Sequence, residues 1–314
     1  MPATMKLISV VSPCYNEEGN IELLIGRVRE IFAAMPQCRY EHIIIDNHST
    51  DKTVEILRGI AAKDENVKVI LNARNFGHIR SPHHGMMQAT GDAVILLLSD
   101  LQDPPELIYD MVREWEAGFP IVVGIKTTSE EAKLMFSVRS AYYGLVARLT
   151  DVKVLQHYTG FGLYDRSVIE LLRQQFQDPY PYFRGMIAEL GLPHKELTYN
   201  QKRRDRGITK NNFYTLYDMA MLGITNLSKV PLRVVTFGGF VFATLSMIAG
   251  FGYLMAKLVF WNSFQIGLAP TMIGLFFLGS VQLIAIGIIG EYIGSIHTIV
   301  QNRPLVTERE RINF

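Results

Sequence analysis

The chain has 314 residues, with 31 lysines and arginines against 30 aspartates and glutamates, so its formal net charge is only +1. This balance argues against a nucleic-acid-binding protein, because such proteins carry a marked excess of positive charge. The two cysteines, Cys14 and Cys38, form no CxxC motif and no disulfide framework, which favours a reducing compartment. Hydrophobic residues make up 48% of the chain and are concentrated after Pro231.

The first 126 residues alternate between strand and helix signals. Apolar, β-branched runs predict five strands, at residues 7–11, 42–45, 67–71, 93–98 and 121–125. Apolar residues at helical spacing predict helices after Asn16, which would act as the N-cap, and at 53–60 and 106–117. Continuous apolar strands separated by helices are typical of a parallel sheet that is covered on both faces.

Polar residues follow three of these predicted strands, as PCYNEE at 13–18, DNHS at 46–49 and SDLQD at 99–103. In parallel sheets the carboxyl ends of the strands form one edge, where ligands bind. Each segment alone is equally consistent with turn and cap chemistry. Together they predict an acidic cleft, in which oxygen ligands from Asp100 and Gln102 would suit Mg²⁺ or Mn²⁺ bridging a diphosphate. The chain contains neither GxGxxG nor a phosphate-binding loop motif.

Two apolar runs in the C-terminal part, at residues 234–260 and 271–294, are each long enough to cross a bilayer, which takes about 20 residues. The residues between them contain no lysine or arginine, whereas Lys229 and Arg233 precede the first run and Arg303 follows the second. The positive-inside rule therefore predicts an integral inner-membrane protein with two spans and both termini in the cytoplasm. The alternative is a pair of buried helices in a soluble core, although core helices are usually shorter.

The residues that precede the first apolar run are basic and then amphipathic. Residues 202–210 read KRRDRGITK, with five basic groups and one acid. Such a run is often only a solvated surface, but beside a membrane it is suited to holding phosphates. In residues 211–227 the apolar residues recur at helical spacing, which predicts a helix that packs on the preceding domain or lies in the headgroup region.

The motifs PCYNEE, IIIDNHSTD, ARNFG and SDLQDPPEL, in this order and followed by two apolar runs, resemble the polyprenyl-phosphate glycosyltransferases. These are inverting family-2 enzymes with the GT-A (nucleotide-diphospho-sugar transferase) fold, related to dolichyl-phosphate mannose synthase and bacterial undecaprenyl-phosphate sugar transferases. The resemblance implies an α/β fold with a mostly parallel sheet and two C-terminal transmembrane helices. It also implies a nucleoside-diphosphate sugar donor, a polyprenyl phosphate acceptor, Mg²⁺ or Mn²⁺ as cofactor, and transfer at the cytoplasmic leaflet for cell-envelope synthesis.

The same resemblance implies roles for individual residues, carried over by position. The nucleotide sugar would be bound by Pro13, Tyr15, Glu17, Asp46, Asn47, Ser99, Asp100, Gln102, Lys126 and Arg139. The lipid phosphate would be bound by Arg204, Arg206, Lys210, Lys229 and Arg233. Asp100 and Gln102 would hold the metal, and Asp100, Arg204 and Lys210 would act in catalysis.

The implied organisation is a cytoplasmic GT-A domain at 1–210, an amphipathic juxtamembrane helix at 211–230, a transmembrane hairpin at 231–300 and a cytoplasmic tail at 301–314. The family resemblance implies a homo-oligomer, a tetramer, and Gly290 and Gly294 form a small-xxx-small pair suited to helix association.

The chain departs from the family pattern at several positions. Leu98 replaces the first acid of the usual Asp-x-Asp, His48 stands where the family has glycine, and the frequent acid near Gly160 is missing. Two alternatives stay open: a family-2 transferase that acts on a sugar hydroxyl, and an inactive relative that serves as a membrane scaffold, which Leu98 and the missing acid near Gly160 support.

Overall fold

The computed structural model describes residues 5–128, 155, 158–176, 178–201, 221, 225, 228–260 and 268–314. Within them, eight strands join into one sheet. The strands are β1 (Lys6–Cys14), β2 (Cys38–Asp46), β3 (Val67–Asn72), β4 (Ala93–Leu96), β5 (Ile121–Thr128), β6 (Tyr158–Asp165), β7 (His194–Asn200) and β8 (Glu308–Ile312). Their order across the sheet is β7-β5-β6-β4-β1-β2-β3-β8.

The central part of the sheet is parallel, as predicted. β1 pairs in parallel with β2 and β4, and β2 pairs in parallel with β3. The five strands predicted from apolar runs are all present, and β6 and β8 are the antiparallel members. The register of β1 and β2 places Cys14 opposite Asp46, so both strands deliver their last residues to the same edge.

Helices cover both faces of this sheet, which confirms the predicted fold class. One face carries α1 (Ile21–Ala33), α2 (Thr53–Ala61) and α4 (Leu107–Glu116), and the other carries α3 (Gly77–Gln88), α5 (Arg166–Gln175) and α6 (Phe183–Leu190). Continuous apolar strands follow from this arrangement, because side chains on both faces are buried.

The predicted cap of α1 was wrong. The helix begins at Ile21 after Asn20, while Asn16 lies in the preceding loop with a φ of 56°. Its side chain bonds to Thr50 instead of the helix terminus. At the start of α2, Asp51 accepts hydrogen bonds from the backbone and hydroxyl of Thr53 at 3.0 and 2.6 Å.

Two long apolar helices follow, α7 (Val230–Val259) and α8 (Leu268–Gln301). Both contain segments long and apolar enough to span a membrane, and neither segment is buried inside the protein. Large side chains such as Met247 and Val300 are about three-quarters exposed, at 75% and 76%. This exposure contradicts the alternative of two core helices, because a core helix would bury such side chains.

The predicted C-terminal tail is instead part of the fold. β8 pairs antiparallel with β3 at the edge of the sheet, and Arg58 of α2 forms an ion pair with Glu310 at 2.5 Å. Asn313 then donates to the backbone oxygens of Ala61 and Val67 at 2.8 and 2.9 Å. The end of α8 is thereby tied to the domain that precedes α7.

Candidate active site at the carboxyl edge of the sheet

The loops that follow β1 and β2 are bonded to each other. Asp46 is fully buried and accepts hydrogen bonds from the Ser49 N–H at 3.0 Å and the Cys14 thiol at 3.7 Å. Burial and the neighbouring Asp46 raise the pKa of the Cys14 thiol, so the thiol stays protonated and donates. The Asn16 N–H donates to the Ser49 hydroxyl at 2.8 Å. Asp46 is thus held rigidly at the end of β2.

Asn47, expected to bind the nucleotide sugar, has its whole carboxamide bonded within the protein. Its NH₂ group donates to Asn75 Oδ1 at 2.9 Å and to the Gly77 carbonyl at 3.1 Å. Its oxygen accepts from Asn72 Nδ2 at 3.2 Å and from the Phe76 N–H at 2.8 Å. Because all four hydrogen-bonding positions are used, this geometry favours a role in positioning the β3–α3 loop over the predicted direct contact.

The loop after β4 carries the predicted metal ligands. The Ser99 hydroxyl donates to the Pro13 carbonyl at 2.8 Å, which joins the ends of β4 and β1. Asp100 Oδ1 accepts the Gln102 N–H at 3.2 Å, so the two side chains leave one tight turn and both remain half-buried. The apolar strand therefore ends in a turn that presents two oxygen-bearing side chains.

Next to this turn lies a buried carboxyl group that the sequence analysis did not assign. Asp103 is fully buried and accepts a hydrogen bond from the Tyr199 hydroxyl, while its Oδ2 has no hydrogen-bond partner among the described residues. Burial, with the charge of Asp100, raises the pKa of Asp103, although Tyr199 and Lys126 act in the opposite direction. Only the position of Asp103 one residue after Gln102 signals it in the sequence.

Lys126, expected to bind the nucleotide sugar, lies beside this acidic turn. It is opposite Tyr199 in the parallel β5–β7 pairing, and its Nζ donates to Gln201 Oε1 at 2.7 Å. Gln201 in turn donates to Asp103 at 3.5 Å. The strand pairing thus brings a cation from β5 to the acids that follow β4.

The remaining predicted residues are distributed around this edge or fall outside the described part. Tyr15 and Glu17 are half-buried in the β1–α1 loop, where Glu17 accepts Asn20 Nδ2 at 2.7 Å. Lys229 and Arg233 are exposed at the start of α7. Arg139, Arg204, Arg206 and Lys210 lie outside the described residues, as does nearly all of the predicted amphipathic helix.

Each of the three loops contains one non-glycine residue in the left-handed conformation. These are Asn16, His48 and Leu101, with φ values of 56°, 68° and 57°. Asparagine tolerates this region, but histidine and leucine pay a cost on the order of 1 kcal/mol. Such strain clusters where function needs a particular loop shape. The left-handed φ of His48 also explains why the resembling family uses glycine there.

The donor set fits a divalent cation that is shared with a substrate. Among the described residues no group of three or more His, Cys, Asp or Glu side chains is arranged to hold a metal. Mg²⁺, however, is usually bound by one or two carboxylates together with substrate phosphates and water. Asp100 and Gln102 on one turn meet that requirement if a diphosphate supplies the rest.

Comparison with known proteins agrees with this geometry. Residues 9–173 match the family described as glycosyl transferase family 2, a span that contains the three loops and the acidic turn. The match extends from β1 to α5 and thus includes most of the sheet.

Two curated relatives match over nearly the whole chain. A Synechocystis protein described as an uncharacterized glycosyltransferase is 33% identical, with 95% of this chain and 93% of the relative covered. The SfII prophage-derived bactoprenol glucosyl transferase of Shigella flexneri is 34% identical, with 95% of this chain and 96% of the relative covered.

Solved structures share the fold. Glucosyl-3-phosphoglycerate synthase from Mycobacterium tuberculosis, in complex with Mn²⁺, uridine diphosphate and phosphoglyceric acid, aligns with a TM-score of 0.50 at 22% identity. The alignment covers 70% of this chain and 76% of that one. At this identity the likeness concerns the fold alone, and it supports the expected GT-A class.

Proposed function

Because this chain belongs to glycosyl transferase family 2, we propose that it transfers a sugar from a nucleoside diphosphate to the phosphate of a polyprenyl lipid. The observation that carries the proposal is the match, through both apolar helices, to relatives named bactoprenol glucosyl transferase. The geometry of the described residues supports it, since the acidic turn 99–103 and Lys126 face one edge of the sheet.

The donor binds along the loops after β1, β2 and β4. Asp46, which the resemblance assigns to the nucleotide sugar, is fully buried and held by the Ser49 N–H and the Cys14 thiol, so it fixes the end of β2 beside the nucleoside. Pro13 and Ser99 hold the ends of β1 and β4 together, and Tyr15 and Glu17 line the neighbouring loop. Together these residues orient the nucleoside so that its diphosphate reaches the acidic turn.

Asp100 and Gln102 would hold Mg²⁺ or Mn²⁺ against that diphosphate. When bound, the ion neutralises the charge that develops on the leaving nucleoside diphosphate. The buried Asp103 carboxyl positions the turn through its bond to Tyr199. Lys126 supplies a fixed positive charge at the same place, so charge stabilisation rather than proton transfer dominates the proposed mechanism.

The acceptor needs no general base. The second ionisation of a phosphate monoester lies near pKa ~6, so the lipid phosphate arrives largely as a dianion. Its oxygen attacks the anomeric carbon while the bond from that carbon to the diphosphate breaks, and the electron pair leaves with the nucleoside diphosphate. In-line attack inverts the anomeric configuration. Arg139 near the donor and Arg204, Arg206 and Lys210 near the acceptor would offset the repulsion between the two anions.

The two apolar helices support a position of this reaction at a membrane surface. Because Tyr292 of α8 donates to the Ser228 carbonyl just before α7 at 2.6 Å, and β8 then returns the chain to the sheet, the start of α7 lies beside the C-terminal half of α8. Lys229 and Arg233 lie where α7 begins, and Arg303 follows the end of α8. By the positive-inside rule this favours two spans, cytoplasmic termini and transfer at the cytoplasmic leaflet.

The test is lipid-linked sugar formation by the purified full-length chain in detergent. UDP-, GDP- and CDP-sugars are offered with undecaprenyl phosphate, with Mg²⁺, with Mn²⁺ or with a chelator, and the lipid product is identified by mass spectrometry. We expect metal-dependent product from one donor class. Asp100→Asn should lower the rate at least about a hundredfold, while Asp110→Asn on α4, where the side chain is 43% exposed, should leave it unchanged.

Three outcomes would overturn the proposal. Product on a sugar hydroxyl but not on the lipid would favour a different family-2 transferase. No product from any donor, with the chain folded and lipid-bound, would favour a scaffold. Full activity of Asp100→Asn would remove the role assigned to the acidic turn.

A further inference from the structure

Three arginines meet where the end of α8 contacts the catalytic domain. Arg303 lies two residues after the last residue of α8, Gln301. The next residue, Pro304, accepts through its carbonyl a hydrogen bond from the guanidinium of Arg80 on α3. Arg74 comes from the loop between β3 and α3. We call Arg74, Arg80 and Arg303 the arginine cluster.

One aromatic ring holds two members of the arginine cluster together. The guanidinium carbons of Arg74 and Arg80 lie 4.0 and 5.4 Å from the ring centroid of Phe76. Phe76 itself is fixed, because its N–H donates to the buried Asn47 at 2.8 Å. The two cations are therefore preorganised by the scaffold rather than brought together by a ligand.

The members of the arginine cluster have no carboxylate partner, unlike most of the other arginines that the structure describes. Among the described residues, no Asp or Glu oxygen lies within 4.0 Å of Arg74, Arg80 or Arg303, and the buried Nε of Arg80 has no hydrogen-bond partner. By contrast, carboxylates pair with Arg29, Arg58, Arg166, Arg173 and Arg311. Like charges held together without counter-charge are destabilising unless an anion binds.

The electrostatics of Arg80 agree with this geometry. Burial, followed by the charges of Arg74 and Arg303, holds the pKa of the Arg80 guanidinium below its usual range, against a smaller opposite effect of Tyr180. A bound anion would remove that penalty. Guanidinium groups are well suited to phosphate, because their planar donors match its oxygens in pairs.

We propose that Arg74, Arg80 and Arg303 form a binding site for the phosphate group of a lipid whose headgroup carries a net negative charge. The position of Arg303 directly after α8 puts this site at headgroup depth if α8 crosses the bilayer, so the inference rests on the proposed membrane location. None of its three members is among Arg204, Arg206, Lys210, Lys229 and Arg233, which the resemblance assigns to the acceptor. It would hold the catalytic domain against the membrane surface beside the β3–α3 loop.

The test measures lipid binding without any sugar donor. Full-length chain in a neutral detergent is titrated with phosphatidylglycerol, undecaprenyl phosphate, phosphatidylcholine or inorganic phosphate, and bound molecules are counted by native mass spectrometry. The variants are Arg80→Gln and Arg303→Gln. Arg303→Gln changes an exposed side chain that makes no described hydrogen bond, so this variant should keep the fold. It therefore tests the site even if Arg80→Gln destabilises the protein. The control, Arg39→Gln, removes an equally exposed charge near the amino end of β2.

We expect phosphatidylglycerol or undecaprenyl phosphate to bind to wild type and to Arg39→Gln, and to bind at least about tenfold more weakly to either cluster variant. Whichever of the two lipids binds identifies the source of the phosphate. Equal binding by all variants, equal binding of phosphatidylcholine, or binding of inorganic phosphate alone would overturn the inference. This binding test does not measure sugar transfer, so its failure and that of the proposed function are distinguishable. If the protein transfers sugar but lipid binding does not depend on the arginine cluster, only this inference is refuted. If lipid binding depends on the cluster but no sugar is transferred, only the proposed function is refuted.

Discussion

The bond between Tyr199 and the buried Asp103 offers a direct test of how the acidic turn is held. Tyr199→Phe removes only the hydroxyl group. The ring is 7% exposed and packs edge-on against Phe161 at a centroid distance of 5.7 Å, a contact that phenylalanine keeps. The substitution therefore leaves one buried carboxyl without its principal hydrogen-bond donor.

The expected cost follows from the charge of the acceptor. A hydrogen bond to a charged group contributes about 1.5–3 kcal/mol. For a domain of this size each kcal/mol shifts the unfolding midpoint by about 2–4 °C, so Tyr199→Phe should lower the midpoint by about 3–12 °C. Since Asp103 directly follows Gln102, one of the two proposed metal ligands, the affinity for Mn²⁺ in the presence of a nucleoside diphosphate should also fall by about tenfold.

The defect should depend on pH in a defined direction. Burial raises the pKa of Asp103 in the folded state, so ionising this group costs folding free energy above that pKa. The Tyr199 hydroxyl lowers the cost, and its loss raises the pKa further. The difference between variant and wild type should be largest at alkaline pH and should shrink as the pH falls through the folded pKa of Asp103.

The assay is thermal unfolding in detergent, followed by fluorescence of Trp115, which is buried in α4 and bonded to Asp165 at 2.8 Å. Tyr109→Phe, at an exposed position of the same helix, is the matched control and should be neutral. A midpoint of Tyr199→Phe equal to both wild type and this control at pH 8 would refute the reasoning. So would a defect that grows on acidification.

Three further predictions concern the sheet and the site. Gly91→Ala should lower the free energy of unfolding by about 2 kcal/mol or more, because the added Cβ would lie 2.6 Å from a backbone oxygen of β1. Gly59→Ala on α2, where the added Cβ meets open space, should raise the free energy of unfolding by about 0.5–1 kcal/mol. Urea titrations in which both variants shift the free energy of unfolding in the same direction would contradict this. Glu41→Gln should cost about 3 kcal/mol at neutral pH. Burial raises the pKa of Glu41, but hydrogen bonds, first among them the one from Lys68 at 2.7 Å, hold that pKa below 4.5. The stability that Glu41 contributes is therefore present above pH 4.5 and is lost as the pH falls through the folded pKa. A difference in unfolding free energy between Glu41→Gln and wild type that is the same at pH 3 as at pH 7 would be the contrary result. Lys126→Met should reduce kcat/KM for the sugar donor about a hundredfold with unfolding little changed, and an unaltered donor kcat/KM would exclude Lys126 from the site.

Much of the core domain follows from local sequence pattern. The five strands between residues 6 and 128 are continuous apolar runs, and a strand buried on both faces needs little more than that to be recognised. The polar segments after β1, β2 and β4 were assigned to one edge because parallel strands must end together. The long apolar runs likewise identified α7 and α8 from composition alone.

Contacts between distant segments were beyond the reach of such patterns. Nothing in the charged run of β8 indicates that it pairs with β3, more than 200 residues earlier, because an exposed edge strand carries no apolar signature. The joining of Asp103 to Tyr199 and Gln201 depends on β5 and β7 lying side by side.

The amino-acid sequence by itself determined which segments of the core domain are strands, which segments are long and apolar enough to span a membrane, and which polar residues follow the ends of the parallel strands. Only the tertiary structure decided that Asn47 is hydrogen-bonded within the protein, that Asp103 is buried, and that Arg80 donates to the carbonyl of Pro304 after α8. The physical reason is that periodicity reports the burial of one element at a time. Charge pairing and hydrogen-bond satisfaction depend on neighbours that only folding brings together.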